Sequence, residues 1–229
     1  SQFDSDGGRG HTLYDQAFVL LGLAHAHAGL GEPQHEARAL AFLAGEQAFL
    51  GRADGGFDEV DGGAAPLQSN PHMRLYEACL AWRALSEAPA WRETAGAIRT
   101  LARTVFIDGR SGRLGEYFAD DGRPAPGEHG RVAEPGHQFE WASLLMIDSA
   151  EDDAAAERLV RLASETGVDR AREAAFFGQD VATGAPIDAS ARLWSQTERL
   201  RACLILRGRT AEPDRWTSEA LKAFDTLQR

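Results

Sequence analysis

The strongest constraint on the fold of this chain is an internal repeat of about sixty residues. Glu77, Glu140 and Glu198 occupy matching places in amphipathic segments and are separated by 63 and 58 residues along the chain. A further copy starts at 13–17, again about sixty residues before Glu77. Each copy consists of a loop rich in Gly and Asp, a helix, a turn and a second helix. Helical hairpins that repeat in this way either stack into a solenoid or close into a ring.

We predict an all-α fold of the second kind, an α/α toroid with short β-hairpins in the loops at its rim. The helices that follow the long loops start with polar and aromatic residues, and a ring gathers those starts on one rim. Residues 1–229 are predicted to form a single domain with about four helical hairpins. A complete (α/α)6 toroid would need roughly 350 residues at this period, so the predicted toroid is incomplete.

Apolar periodicity and helix-breaking residues place the elements along the chain. Helices are predicted from 13 to a stop at 29–31, after Pro33, and at 72–87, 91–105, 137–149, 151–166, 191–207 and 213–228. In the second helix, the residues predicted to face inward are Ala37, Leu40, Ala41, Ala44 and Ala48. Short strands or hairpins are predicted at 3–8, 54–60, 112–118 and 176–180.

Charge and composition exclude several classes of partner. The net charge of −11 argues against nucleic acid or an anionic membrane, although local arginines still allow a phosphorylated substrate. No apolar run approaches the ~20 residues of a membrane span, and the polar start of the chain predicts no signal peptide. Cys79 and Cys203 are predicted to be buried thiols, which favours the cytoplasm. The sequence is compatible with a monomer and with a homodimer.

Two predicted helix starts share a pattern in which a proline is followed closely by a histidine and then by an acid. They are NPHMRLYE at 70–77 and EPGHQFEW at 134–141. Because proline is well tolerated at the first helical position, His72 and His137 are both predicted in a first turn. The helix dipole disfavours an imidazolium there, so both rings are predicted to be neutral at pH 7, the form that abstracts protons. His137 and Glu140 are three residues apart and share a helix face.

Four segments, taken together, resemble motifs of the N-acylglucosamine 2-epimerase superfamily, which includes mannose isomerases and a mannose-6-phosphate isomerase branch. The segments are LYDQAF at 13–18, SNPHM at 69–73, EPGHQFEW at 134–141 and RLWSQTE at 192–198. They occur in the family's order over essentially the whole chain. The resemblance implies an (α/α)6 barrel and proton transfer on an open-chain sugar without a metal or other cofactor. The implied partner is a monosaccharide or a sugar phosphate.

The resemblance also implies roles for individual residues. His137 resembles the catalytic base, Glu140 a supporting or substrate-binding acid, and His72 a histidine that helps ring opening or binds sugar oxygens. Further candidates for sugar contact are Asn70, Glu134, Tyr14, Asp15, Trp141, Arg192, Trp194 and Glu198. Core packing is the alternative for the aromatic residues, helix capping for Asn70, and a structural ion pair for Arg192 and Glu198.

Two departures from the family pattern concern the ends of the chain. Family members usually have further helices before the segment at 13–18, which contribute an active-site arginine. They also usually carry another catalytic histidine beyond the segment that matches the end of this chain, which has no histidine after His137. We therefore expect either that the ends are missing or that this is a shortened, inactive relative.

The number of bases separates the candidate reactions. Aldose–ketose isomerisation needs a base on one face of the sugar, whereas 2-epimerisation normally needs a base on each face. His137 is the one strong base candidate, which favours an isomerase acting on mannose and fructose or their 6-phosphates. The alternatives are an N-acyl-D-glucosamine 2-epimerase or other sugar 2-epimerase, and an inactive sugar-binding or scaffold relative. A glycoside hydrolase would instead use paired carboxylates from among Glu116, Asp120, Asp121 and Glu140.

Overall fold

The computed structural model of the protein describes residues 12–60 and 66–228, so the hairpin predicted at 3–8 lies outside the described residues. The chain divides into two compact units between Leu101 and Ala102. The described helices are α1 Leu13–Leu30, α2 Pro33–Leu50, α3 Ser69–Arg83, α4 Pro89–Leu101, α5 Pro135–Asp148, α6 Asp153–Thr166, α7 Leu193–Arg207 and α8 Pro213–Leu227. The described strands are β1 Leu67–Gln68, β2 Tyr117–Phe118, β3 Val132–Ala133, β4 Val168–Asp169, β5 Ala174–Ala175, β6 Gly178–Asp180 and β7 Pro186–Asp188.

In the first unit, α1 packs against α2 and α3, and α3 packs against α4. Helix α1 starts where Thr12 Oγ1 accepts a hydrogen bond from a backbone N–H of the first turn. It ends at Gly31, whose φ of 69° is a left-handed conformation that favours glycine. Trp82 of α3 stacks on Trp91 of α4 with 5.1 Å between ring centroids, and its Nε1–H donates to the Leu20 carbonyl of α1. The side chain of Trp82 therefore ties three helices together.

In the second unit, α5 packs against α6 and α7, and α7 packs against α8. Strand β6 pairs antiparallel with both β3 and β7, and β4 pairs antiparallel with β5. The register places Val132 opposite Asp180 and Val168 opposite Ala175. Strand β3 ends at Ala133, immediately before Glu134, the N-cap residue of α5, so this sheet fixes where that helix starts.

The predicted class, an all-α fold of helical hairpins with short strands in the loops, is confirmed. Both bounds of α3 differ from the prediction: the helix covers Ser69–Arg83 rather than 72–87, so Pro71 is its third residue and not its first. A proline is tolerated there because the first four N–H groups of a helix have no intrahelical acceptor. None of the described helices combines the length and apolarity needed to cross a membrane. The single-domain assignment stays a prediction.

The predicted inward face of α2 is also wrong. The buried residues of α2 are Ala39, Leu43, Glu46 and Leu50, whereas Leu40 is half-buried and Ala37, Ala41, Ala44 and Ala48 are exposed. Alanines lie around much of this helix, and their small side chains do not select a face. The two leucines bury more apolar surface, and they decide which side of the helix packs.

Candidate active site

His137 lies in the first turn of α5, as predicted. Glu134 precedes the helix as its N-cap residue, Pro135 takes the first helical position, and the Glu134 carbonyl accepts the N–H of Gln138 at 3.1 Å. The imidazole of His137 is buried, with 3% of the residue exposed. Its place at the helix start follows directly from the local sequence, since proline fixes the backbone angle that the first turn requires.

Carboxylates surround the imidazole of His137. Its Nδ1 lies 3.1 Å from Oε1 of Glu116 and 3.7 Å from Oε2 of Glu134. Burial alone disfavours the charged imidazole, but the charge of Glu116 and its contact with Nδ1, followed by the charges of Glu134 and Glu140, raise the pKa of His137 to about 9. The prediction of a neutral ring at pH 7 is therefore wrong for His137, because nearby charges outweigh the helix dipole.

An indole ring forms the neighbouring wall of this cluster. The ring centroid of Trp194, at the start of α7, lies 5.2 Å from that of His137, and the two planes are tilted by 32°. The close approach of the two helix starts depends on Gly136. A Cβ at this position would lie 2.5 Å from ring carbons of Trp194 and 2.6 Å from Oγ of Ser195. The glycine in the motif at 134–141 is thus needed for packing.

The start of α7 is itself fixed by an amide side chain. Oε1 of Gln196 accepts the backbone N–H of Ala175 at 2.9 Å, and its Nε2 donates to the carbonyls of Ala175 at 3.1 Å and Arg192 at 3.2 Å. Gln196 is buried, so these bonds are shielded from water. They tie the first turn of α7, which carries Trp194, to strand β5.

His72, in the first unit, is bonded to backbone through both ring nitrogens. Its Nδ1 lies 2.6 Å from the Gln68 carbonyl, and its Nε2 accepts the backbone N–H of Phe57 at 2.9 Å. These two bonds define a neutral ring with the proton on Nδ1. Burial is the main cause that lowers the pKa of His72 to about 4. The predicted neutral form is therefore confirmed for this histidine, and the ring fastens residues 54–60 to the start of α3.

The other candidates of the first unit lie at the starts of α1 and α3. Tyr14 is half-buried and packs edge-on against Phe18, with 5.1 Å between ring centroids. Asp15 is exposed, and its Oδ2 accepts a hydrogen bond from the hydroxyl of Thr12, the N-cap residue of α1, at 2.9 Å. Asn70 is half-buried, and its Oδ1 is buried without a hydrogen-bond donor among the described residues.

The remaining candidates belong to α5 and α7. Glu140 is buried and contributes to the charge that raises the pKa of His137. Trp141 is fully buried, with its ring centroid 6.1 Å from that of Phe106, so it packs in the core rather than against a sugar. Arg192 is exposed, and its guanidinium lies 4.0 Å from the ring centroid of Phe177. Glu198 forms an ion pair with the nearby Arg201 at 3.3 Å.

The fold of the second unit brings one predicted cluster together and extends it. The predicted members are His137, Glu134, Glu140 and Trp194, and the residues missing from the predicted site are Glu116 and Gln196. The sequence shows Glu116 as an acid between a glycine and two aromatic residues at 112–118. It does not show that this segment contacts the start of α5. Within residues 12–60 and 66–228, no group of three or more His, Cys, Asp or Glu is arranged to hold a metal ion.

The family is decided by a match along nearly the entire chain. The model of the N-acylglucosamine 2-epimerase (GlcNAc 2-epimerase) family matches residues 3–229. The chain belongs to the N-acylglucosamine 2-epimerase family. The resemblance inferred from the four motifs is thereby confirmed. A relative in Rhizobium meliloti (strain 1021) is named mannose-6-phosphate isomerase. It is 39% identical over an alignment 242 residues long, which covers 95% of this chain.

Two solved structures show the fold that this epimerase-family chain adopts. A D-mannose isomerase matches 94% of the chain with a TM-score of 0.84 and 19% identity. A cellobiose 2-epimerase from Spirochaeta thermophila matches 93% with a TM-score of 0.78 and 20% identity. At these identities the likeness shows the fold, the helical toroid. The chain spans 59%, 58% and 57% of the lengths of the relative and the two structures, respectively.

Proposed function

We propose that this protein is a sugar isomerase that interconverts an aldose and its ketose, either mannose and fructose or their 6-phosphates. The observation that carries the proposal is the buried imidazole of His137, held against Glu116 and Glu134 at the start of α5. The relative named mannose-6-phosphate isomerase supports the phosphorylated pair, and the likeness to a D-mannose isomerase supports the free sugars.

His137 is the group that moves the proton in this proposal. Its neutral imidazole takes the proton from C2 of the open-chain aldose, and the C–H electron pair forms the C1–C2 double bond while the C1 carbonyl oxygen becomes negative. The imidazolium then returns the proton to C1, and the proton on O2 passes to O1 as the C2 carbonyl forms. One proton moves from C2 to C1 and one from O2 to O1, so the step needs no oxidant, reductant or metal.

The carboxylates change how well His137 performs this step. With a pKa of about 9, roughly 1% of the imidazole is neutral at pH 7. That minor form is a stronger base than an ordinary imidazole, because Glu116 and Glu134 stabilise the imidazolium that results. We therefore expect the reaction to accelerate as the pH rises toward 9, while the neutral form becomes more abundant.

The residues next to His137 supply the sugar contacts. Trp194 is only half-buried, and its indole offers an apolar face to the C–H groups of a sugar. The Glu134 side chain is 17% exposed and can accept a hydroxyl proton. Arg192, exposed at the start of α7, is the candidate for a phosphate group. Glu140 supports the charge of His137.

The predicted site residues of the first unit differ in what supports a role for them. Asn70 keeps its predicted sugar-binding role, because its buried Oδ1 accepts no hydrogen bond from the described residues. Sugar contacts of Tyr14, Asp15 and, in the second unit, Glu198 rest on the family motifs alone. For His72 we propose a positioning role, since both ring nitrogens already bond to backbone atoms and are not available to move a proton.

The test is solvent deuterium exchange by the intact protein. It is incubated in D2O with mannose, fructose, mannose 6-phosphate, fructose 6-phosphate or N-acetylglucosamine, and the products are read by NMR. Isomerisation places deuterium at C1 of the ketose and C2 of the aldose. His137→Gln should abolish the exchange, whereas His129→Gln, at an exposed histidine of the same unit, should leave it intact. Absence of exchange with every sugar contradicts the proposal.

A sugar 2-epimerase is the second candidate, supported by the family's name and by the structural likeness to a cellobiose 2-epimerase. The same incubation distinguishes it, because epimerisation yields an aldose of the other C2 configuration with deuterium at C2 and no ketose. An inactive sugar-binding relative would bind a sugar without exchange, and release of a phenol from aryl mannosides would indicate a hydrolase. Independence from metals is tested by repeating the assay with a chelator. The cytoplasm stays the predicted location.

A further inference from the structure

Glu116 is the carboxylate in closest contact with His137, and backbone contacts on either side hold its loop in place. The backbone of its loop is pinned by a bridge between Ile107 and Leu114 and by the Gly115 N–H, which donates to the Phe106 carbonyl at 2.9 Å. A Cβ on Gly115 would lie 2.9 Å from the ring of Phe118, so the segment also packs closely against that ring. Glu116 itself is 4% exposed.

The contacts of Glu116 lead to two groups at the start of α5. Its Oε1 accepts the backbone N–H of Glu134 at 3.3 Å and lies 3.1 Å from Nδ1 of His137, a buried atom that is in ion-pair range but has no aligned hydrogen-bond partner among the described residues. A buried carboxylate is costly unless cations or hydrogen-bond donors compensate it. A proton on Nδ1 is favoured in both the charged and the neutral imidazole, because a lone pair there would face the negative oxygen of Glu116 at 3.1 Å.

We propose that Glu116 is the positioning residue of His137: it holds the proton on Nδ1 and so leaves Nε2 as the nitrogen that exchanges a proton with the sugar. This inference rests on the proposed function. In the unassisted neutral ring the proton occupies either nitrogen, and only the Nδ1–H tautomer has its lone pair on Nε2. Glu116 thereby keeps the ring in one tautomer and one orientation throughout the proton transfer.

The other groups that face the imidazole act differently from Glu116. Glu134 is more exposed and more distant, at 3.7 Å, and Glu140 acts through its charge. The indole of Trp194 contributes packing without a charge. Among these neighbours, Glu116 combines the shortest contact to Nδ1 with a fully buried carboxylate.

NMR of the intact protein with 15N-labelled histidine tests the proposal without requiring turnover. The wild type should show His137 as the Nδ1–H tautomer once it loses its charge, with a pKa near 9. Glu116→Gln removes the charge but keeps an acceptor, so we expect the pKa to fall by one unit or more. Glu116→Asp keeps the charge at a greater distance and should lie in between. Glu134→Gln should lower the pKa less, and the exposed Glu128→Gln not at all.

Kinetics supply the second readout. On the high-pH plateau, where His137 is neutral in both proteins, Glu116→Gln should lower kcat by about a hundredfold with KM changed less than about threefold. The pH profile should move in parallel with the NMR titration. The proposal is overturned if Glu116→Gln folds normally and leaves the tautomer of His137 unchanged, whatever happens to its pKa. If the tautomer and pKa respond but no sugar exchanges its proton, the positioning stands and the proposed function fails.

Discussion

Acid should weaken the protein through His72, because protonation of this ring breaks a buried bond. In the folded chain Nε2 accepts the N–H of Phe57, and a proton on Nε2 would place two donors against each other. Burial lowers the pKa of His72 to about 4, from an ordinary value of 6.5. Between these two pH values the unfolded chain binds more protons than the folded chain, so the free energy of unfolding falls as the pH falls.

The size of the effect follows from the pKa difference. Each pKa unit corresponds to ~1.4 kcal/mol, so the shift of His72 from 6.5 to about 4 amounts to about 3 kcal/mol in full. About 2 kcal/mol of this should be lost on going from pH 7 to pH 4.5. The contribution is fully present above pH 6.5 and is lost as the pH falls through about 4.

Urea denaturation at a series of pH values between 4.5 and 7.5 measures this dependence. His72→Gln keeps a donor and an acceptor but does not titrate. As the pH is lowered from 7.5 to 4.5, the free energy of unfolding of this variant should therefore fall by about 2 kcal/mol less than that of the wild type. His25→Gln, at an exposed histidine of the same unit, serves as the matched control and should follow the wild type. Parallel curves for the wild type and His72→Gln, or an NMR pKa near 6.5 for His72, would refute the reasoning.

Three further outcomes are expected. The kcat/KM of the proposed isomerase should rise with pH and level off above about 9, since His137 must lose its proton to act as a base; a profile that is flat or falls over pH 7–9 would contradict this role. Gly136→Ala should destabilise by ~2 kcal/mol, because its methyl group meets Trp194, whereas Gly45→Ala, in open space within α2, should stabilise by ~0.5–1 kcal/mol in thermal or urea unfolding. Arg199→Met should cost ~2 kcal/mol in the same assay, because it removes the donor of the Glu173 carbonyl and one of the two cations beside Glu219, which keeps Lys222; a loss below ~0.5 kcal/mol would show that the buried guanidinium contributes little.

Local signals made most of the fold predictable from the sequence. Pro135 and Gly31 mark a helix start and a helix end through backbone angles that each residue imposes by itself. The face of α2 was not predictable in the same way, because alanines on several sides carry little information about burial. There the packing of Leu43 and Leu50 decides, and that is settled by neighbouring helices.

The candidate site was predictable as a position but not as an electrostatic environment. The place of His137 in a first turn follows from neighbouring residues, whereas its charge depends on Glu116, 21 residues earlier in the chain (137 less 116). No period or spacing reveals that contact, which forms only when a loop meets a helix start. For the same reason the sequence left Trp141 open between sugar contact and core packing, since it shows an aromatic residue but not which atoms cover it.

The amide of Gln196 uses its oxygen and its nitrogen on three backbone groups of Ala175 and Arg192. Hydrolysis of that amide to a carboxylate would keep the acceptor oxygen. It would replace the donor nitrogen with a second, negatively charged oxygen, which would face the two carbonyl oxygens. The first turn of α7 would then keep one of its two bonds to β5, the one from the Ala175 N–H, and the support of the indole beside His137 would weaken. Chemical ageing at a single glutamine would in this way reach the proton-transfer centre from a residue that does not itself contact His137.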